Sequence, residues 1–391
     1  MILHIISDFT RGDGAQNMLA RLLRVTRDER ILLVSMLGVS ESMRAAVGNS
    51  RVHYVALGLR TPLTAPAAAL RLVRMIRAER PSAVLCWMYH AMPVGLVAAK
   101  MAGTGTPVYW TIRQALDDPS ALTASTRRAI RLARRMSPFS SGILYNSQRG
   151  REQHAAFGFA DANAVVIPNG FDLPSICPPV PRMAKVFGVA GRLHPQKDHG
   201  TFFRAAAAVA RERPDTRFVL AGPGMSRGAP EVDAVLARAG LSPDRVELRG
   251  RVANMAAFYA EIDVLVLSSL TEGFPNVAAE AMSFGKPVVS TDVGDAATII
   301  GEAGRIVPPR DAVALGRAMV EMLELPPEAY RAMACAARAR IERHYALPAI
   351  AAAYDAFLLQ QRSGRIADQL PPTPDAVPDH ETSDRLIQRD A

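Results

Sequence analysis

The stretch Asp263-Val264-Leu265-Val266-Leu267-Ser268, continuing as Ser269-Leu270-Thr271-Glu272-Gly273-Phe274-Pro275-Asn276-Val277-Ala278-Ala279-Glu280-Ala281-Met282-Ser283-Phe284-Gly285-Lys286-Pro287, carries its own punctuation. A short apolar run of this kind reads as a buried strand. Pro275 fits the first turn of a helix, where a missing N–H costs nothing, and Gly285 fits the position just past its end. Glu272 therefore lies in the loop and Glu280 inside the helix. The helix start offers unbonded N–H groups, such as those of Asn276 and Val277, on the side where the strands end. That side attracts anions and suits a diphosphate. A carboxylate in the preceding loop can accept hydrogen bonds from sugar hydroxyls, and one two turns in can take both hydroxyls of a ribose. Met in isolation, two glutamates at this spacing are more simply a helix-start charge and a solvent-facing side chain.

The same alternation of apolar strand and helix extends in both directions, the mark of parallel α/β sheets. Strands are expected at 2–8, 30–36, 51–56, 82–87, 107–112, 142–145 and 164–167. A second set follows near 185–190, 216–221, 245–249, 263–268, 287–291 and 305–307. Between the sets, residues 173–183 contain four prolines and little periodicity, as a linker does. The reading is α/β, with two tandem Rossmann-like, doubly wound domains facing a cleft: residues 1–172, and residues 184–346 after the linker. Such sheets bind ligands beyond the C-terminal ends of their strands. The Pro- and Asp-rich residues 363–391 are expected to be a disordered tail.

The glutamates have company. The strand Val186-Phe187-Gly188-Val189-Ala190 ends in Gly191-Arg192-Leu193-His194-Pro195-Gln196-Lys197. A basic pair at the mouth of a strand–helix turn can neutralise a diphosphate, Arg192 as a planar fork and Lys197 as a point charge. Only four of the 46 basic residues are lysine, so Lys197 is less easily read as ordinary surface charge. After the first strand, Arg11-Gly12-Asp13-Gly14 is either a plain turn or a place where backbone approaches a ligand closely.

These motifs, with Leu220-Ala221-Gly222-Pro223-Gly224, Leu248-Arg249-Gly250-Arg251-Val252 and Gly285-Lys286-Pro287-Val288-Val289, resemble the C-terminal half of the family-four retaining glycosyltransferases of the GT-B fold, of the bacterial cell-envelope and exopolysaccharide type. Order and spacing match over about 130 residues, and a looser similarity covers 1–360. The resemblance implies a closing helix at 347–362 that crosses back to the first domain. It implies that Arg192 and Lys197 bind the donor diphosphate and Glu280 the donor ribose. Glu272 would hold the transferred sugar beside the main-chain N–H groups of Gly273, Phe274, Asn276 and Val277. Arg251 and Val252 would lie near the base, and Gly12 and Gly14 near the phosphates. Many similar enzymes carry histidine after the fifth strand of the first domain, where this chain has Arg113. Arginine suits a charged acceptor or a phosphate but is no general base. His90 also ends a strand toward the cleft, in a capping, core or catalytic role. No Asp-x-Asp ends a strand, so neither metal nor cofactor is expected, and front-face retention is implied.

Composition narrows the setting. No apolar run spans a membrane, and the N-terminus reads as a strand rather than a secretory signal, so a cytoplasmic enzyme is expected. Cys86, Cys177 and Cys335 show neither disulfide nor zinc spacing. The net charge of +9 is uneven: residues 1–180 hold 21 Arg and Lys against 11 Asp and Glu. Arginines cluster on one face of the helices expected at 70–80 and 127–136. That suits an anionic membrane surface and a lipid-linked saccharide acceptor, or simply an Arg-rich surface helix. Basic runs interleaved with aromatics are absent, so nucleic acid is not expected as a partner. Two alternatives remain: a nucleotide-sugar 2-epimerase of the same architecture, and a sugar-nucleotide binder without turnover.

Overall fold

The computed structural model describes residues 1–26, 30–59, 61, 64–117, 122–175 and 183–363. The first sheet contains β1 (Ile2–Ile6), β2 (Ile31–Ser35), β3 (Val52–Ala56), β4 (Ala83–Trp87), β5 (Val108–Ile112), β6 (Gly142–Tyr145) and β7 (Ala164–Val166). Its helices are α1 (Gly14–Val25), α2 (Glu41–Val47), α3 (Ala65–Glu79), α4 (Ala91–Ala102), α5 (Ala124–Met136) and α6 (Gln148–Ala156). The second sheet contains β8 (Val186–Ala190), β9 (Arg217–Ala221), β10 (Val246–Leu248), β11 (Val264–Leu267), β12 (Val288–Thr291) and β13 (Gly304–Val307). With it come α7 (His199–Glu212), α8 (Pro230–Ala239), α9 (Met255–Glu261), α10 (Asn276–Ser283), α11 (Ala296–Ile300) and α12 (Ala312–Glu324). Helices α13 (Pro327–His344) and α14 (Leu347–Ser363) follow.

Each expected strand is present, trimmed or shifted by a residue or two at its ends. The described ladders are parallel, in the orders β3-β2-β1-β4-β5-β6-β7 and β10-β9-β8-β11-β12-β13. Both faces of the central strands are covered by helices; β2, β4 and β5 are buried along their whole length. Strand order reverses at β1/β4 in the first sheet and at β8/β11 in the second. At such a switch point the loops leave in opposite directions and open a crevice. The loops carrying Gly12, Lys197 and Glu272 follow β1, β8 and β11, so topology sends them to the two crevices.

Helix α14 belongs to the first domain by packing, although it follows the second in sequence. Ile350, Ala351, Tyr354, Phe357 and Leu358 share a buried cluster with Met18, Leu19 and Leu22 of α1. Tyr109 of β5 meets Phe357 edge-on, with ring centres 5.2 Å apart. Where the chain passes between domains, Phe171 N–H donates to Tyr345 C=O at 2.8 Å and Leu347 N–H to Phe171 C=O at 2.9 Å. Over this junction the Phe171 ring stacks on that of Phe274, which Tyr345 meets edge-on. Of the expected linker only Leu173, Pro174, Ser175 and Met183 are described, and the expected tail beyond Ser363 lies outside the described residues.

Both tryptophans, Trp87 and Trp110, lie in the first sheet, so their fluorescence reports on that domain. Phe357→Ala should destabilise it by about 3–5 kcal/mol, the usual cost of emptying a buried phenylalanine site. Urea unfolding followed by tryptophan emission measures this; an unchanged midpoint would show that α14 is no part of that core.

Candidate active site in the interdomain cleft

The loop before α10 is fixed mainly by backbone contacts. A Cβ on Gly273 would lie 2.7 Å from the Arg113 carbonyl oxygen and 2.8 Å from Gln114 Cα, so only glycine lets the two domains approach there. From the other side Gly294, at φ +51°, lies so close to Glu272 and Gly273 that a Cβ would be 2.4 Å from the Glu272 carbonyl oxygen. Glu272 is thus placed by a backbone sandwich. Its Oε1 accepts from Lys197 Nζ at 2.5 Å and Ser269 Oγ at 2.7 Å.

Lys197 closes a 3₁₀ turn, Pro195–Lys197, and that turn is sewn to the β11 loop. Leu270 N–H donates to Gln196 C=O at 2.7 Å, and Ser268 Oγ to Lys197 C=O at 2.9 Å. Asp198 then starts α7 in a left-handed conformation, φ +40°, with its carboxylate accepting from Thr201 N–H and Oγ. His199 contacts the Arg192 carbonyl oxygen at 3.1 Å, and burial pulls its pKa down to about 4, so it is neutral and structural. Arg192 itself is exposed and makes no ion pair among the described residues. Arg251 is exposed and Val252 partly buried in the loop after β10.

Helices α1 and α10 begin together. A Cβ on Gly14, the first residue of α1, would lie 3.1 Å from the Asn276 side-chain amide at the start of α10. Gly12 lies beside Asn17, which donates to its carbonyl oxygen. The first N–H groups of a helix have no carbonyl a turn earlier to bond, so two such sets and two positive dipole ends converge on one gap. Pro275 proves to be the residue before α10 rather than inside it, which leaves the Asn276 and Val277 N–H groups at the mouth. Phe274 turns its ring into the junction core, leaving its main chain for the cleft. Glu280 accepts from Tyr259 and, across the domains, from Arg21.

The Arg113 side chain, a candidate acceptor contact, is engaged by neighbouring protein groups. Its guanidinium lies 4.7 Å from the Trp87 ring and 5.7 Å from that of Tyr354. It donates to Tyr354 Oη of α14 and, at 2.7 Å, to Asn169 Oδ1. Asn169 in turn donates to Asn276 Oδ1 at 2.6 Å. Position 113 therefore braces the helix start from behind, and only its backbone lines the Glu272 loop. His90 immediately precedes α4 and pairs with Ser125 Oγ at 3.1 Å; burial lowers its pKa.

Sequence reasoning missed the seam residues that join the domains at this site. Asp117 accepts from Thr271, next to Glu272, and from Gln153, and pairs with Arg149. Asp295, just before α11, accepts from the N–H groups of Gln148 and Arg149 at 2.9 and 3.1 Å, at the start of α6. No local pattern marks these residues, because their partners lie far along the chain.

Two doubly wound domains facing across a crossing-helix junction define an α/β protein of the GT-B class. Two family descriptions match it, "Glycosyltransferase Family 4" over residues 13–174 and "Glycosyl transferases group 1" over residues 184–325. The chain belongs to the family-four glycosyltransferases. It is 30% identical over 221 residues to the lipopolysaccharide core biosynthesis mannosyltransferase LpsB of Rhizobium meliloti (strain 1021), covering 51% of this chain and 63% of LpsB. It is 31% identical over 173 residues to the D-inositol 3-phosphate glycosyltransferase of Kineococcus radiotolerans, covering 39% of this chain and 40% of that protein. These alignments span from about two-fifths to just under two-thirds of the relatives' length. The fold superposes on Anabaena HepE in complex with UDP-glucose with a TM-score of 0.77 at 21% identity, covering 92% of this chain and 100% of HepE.

The seam is expected to depend on pH through Asp295. Burial, the largest cause, pushes the Asp295 carboxyl up to about 6, against the pull of the two N–H groups. A carboxyl whose folded pKa is raised favours the folded state most below its unfolded pKa, and that advantage is lost as pH rises through the folded value. Asp295→Asn should therefore gain on the wild type in thermal stability between about pH 4 and about pH 7. A difference constant across that window would show that Asp295 titrates as an ordinary carboxylate.

Proposed function

We propose that this protein is a retaining glycosyltransferase that moves a hexosyl or N-acetylhexosaminyl unit from a nucleoside-diphosphate sugar to a saccharide acceptor. The reading rests on one observation: the Lys197–Glu272 pair and the paired starts of α1 and α10 occupy one crevice at facing switch points. Lys197 spends one of its three N–H donors on Glu272 and has two for diphosphate oxygens. Arg192 and the helix starts share that charge. Glu272, its lower face walled by backbone, accepts hydroxyls of the sugar. The names of LpsB and of HepE with UDP-glucose support a nucleotide-sugar donor and a role in polysaccharide or lipopolysaccharide assembly.

In the step we propose, the bond from the sugar anomeric carbon to the departing phosphate oxygen breaks as the acceptor oxygen bonds to the same face. The acceptor's proton passes to the departing diphosphate. No side-chain base is needed, and Arg113 offers none. The developing charge falls on Arg192, Lys197 and helix-start N–H groups, which are preorganised for it, so turnover should persist in chelator.

Glu272→Ala and Lys197→Ala should each lower kcat by two orders of magnitude or more, on the scale of about 10²–10³ for losing one preorganised charge-stabilising group. Circular dichroism should be unchanged, since both side chains line the cleft. Proton NMR of the first-formed product should show the donor's anomeric configuration; an inverted linkage would remove the retaining mechanism, and near-normal turnover in a folded variant would remove the site.

The acceptor side favours a lipid-linked substrate at the inner membrane face. No helix among the described residues is long and apolar enough to cross a membrane. On α5, Arg128, Arg131 and Arg135 are exposed and make no ion pair among the described residues. Leu132 between them is 48% exposed, and Phe139 and Met101 nearby are 62% and 60% exposed. Lys100 lies 5.2 Å from the Phe139 ring, so apolar and basic groups interleave on one face. Arg127 and Arg134 are instead turned to the Leu122 and Phe157 carbonyls. Each exposed basic residue is worth about 1 kcal/mol at an anionic surface, screened over about 8 Å at physiological salt. The protein should sediment with phosphatidylglycerol vesicles at low salt and leave them at high salt. Replacing Arg128, Arg131 and Arg135 with Gln should weaken this binding; a wild type that ignores the vesicles at low salt points to a soluble acceptor.

A further inference from the structure

Glu280 is gripped from two directions. Tyr259 of α9, in the second domain, donates to Oε2 at 2.8 Å. Arg21 of α1, in the first domain, donates to Oε1 at 2.5 Å. Neither donor is free to swing away. The Tyr259 ring packs against Phe258 and Phe284, and the Arg21 guanidinium lies 5.0 Å from the Phe171 ring at the interdomain junction. Burial first, and then the Glu280 charge, hold the Tyr259 phenol well above its ordinary pKa, so it stays a donor.

The grip leaves room for more. Each carboxylate oxygen can accept about two hydrogen bonds. One on each oxygen is used, and the Glu280 side chain is still 22% exposed. A glutamate has three rotatable bonds, and in most of its rotamers only one oxygen would face a given ligand. With both oxygens pinned by fixed donors, the remaining two acceptor directions are set.

Taking Glu280 as the ribose ligand of the proposed function, we propose that Arg21 and Tyr259 are positioning residues for the nucleotide, turning the Glu280 carboxylate so that it accepts from both ribose hydroxyls. Because Arg21 comes from the first domain, ribose recognition is complete only when the two domains are docked. The first domain thereby takes part in reading the ribose as well as in meeting the diphosphate at the start of α1.

The test compares UDP with 2′-deoxy-UDP on the full-length chain by titration calorimetry, with the GDP and ADP pairs run alongside. The wild type should favour the ribonucleotide by about tenfold or more, the usual worth of a hydrogen bond to a charged group. Tyr259→Phe and Arg21→Met should each cut that preference to under about threefold, and Arg21→Lys should restore part of it. In turnover the loss should appear in the donor KM rather than in kcat. A wild type with no ribose preference, or a Glu280→Ala variant that retains it, overturns the ribose reading and the proposal together. If Glu280→Ala loses the preference while Tyr259→Phe and Arg21→Met keep it, the ribose reading stands and the positioning role is overturned. Tyr259→Phe removes a single oxygen from a packed ring and Arg21→Met keeps the aliphatic stem, so if one variant fails to fold the other decides.

Discussion

Two helices that begin at one point are an unfavourable arrangement, since their positive ends repel and their first N–H groups compete for the same space. Here α1 and α10 do this across a domain boundary, and much of the structure serves to hold them so. The packed rings of Phe171, Phe274 and Tyr345 close the junction on one side. The Arg21–Glu280 pair ties the two helices further along, and the Arg113–Asn169–Asn276 chain of hydrogen bonds braces the start of α10. What results is a gap on which helix-start N–H donors converge, where an anion would replace repulsion by attraction.

The two halves of this arrangement differed in how readable they were. Strands such as β2, β4 and β5, buried on both faces, appear as apolar runs interrupted only by Ser35 and Thr111, and Gly285, at φ +67°, marks the end of α10 as a glycine there should. The placement of Lys197 and Glu272 was legible too, because each lies in the loop after a strand whose place in the sheet order sends that loop to the crevice. The seam was not legible. Arg21 meets Glu280 from 259 residues away and Arg113 meets Tyr354 from 241, so no periodicity links them and only the docking of two folded bodies brings them together. Arg113 shows the consequence: its place after β5 was readable, but the direction of its guanidinium depended on an aromatic pair contributed by β4 and α14.

The charge asymmetry of the chain resolves in the same terms. Arg21, Arg24, Arg113 and Arg149 are all first-half cations consumed in the seam, three of them by carboxylates at Glu280, Asp172 and Asp117. Three are matched by carboxylates, and Arg113 is held instead against Trp87 and Tyr354. Arg128, Arg131 and Arg135 are of another kind, exposed on α5 beside apolar side chains. A single count of basic residues merges these two populations, although only the second leaves its charge unpaired among the described residues.

The backbone sandwich around Glu272 explains how position 113 can change without moving the site. Gly273 packs against the carbonyl oxygen of residue 113 and the Cα of Gln114, and Gly294 closes the other side. Every amino acid supplies that carbonyl, so the wall against which Glu272 sits is the same whether the side chain behind it is an arginine or the histidine of similar enzymes. What the arginine changes lies on the far side of the wall. Its fork reaches two partners at once, Asn169 and Tyr354, and so joins the start of α10 to the crossing helix. Under the proposed function, the chemistry at the sugar is left to main-chain N–H groups and to Lys197 and Glu272, which flank the one β8/β11 switch point of the second sheet.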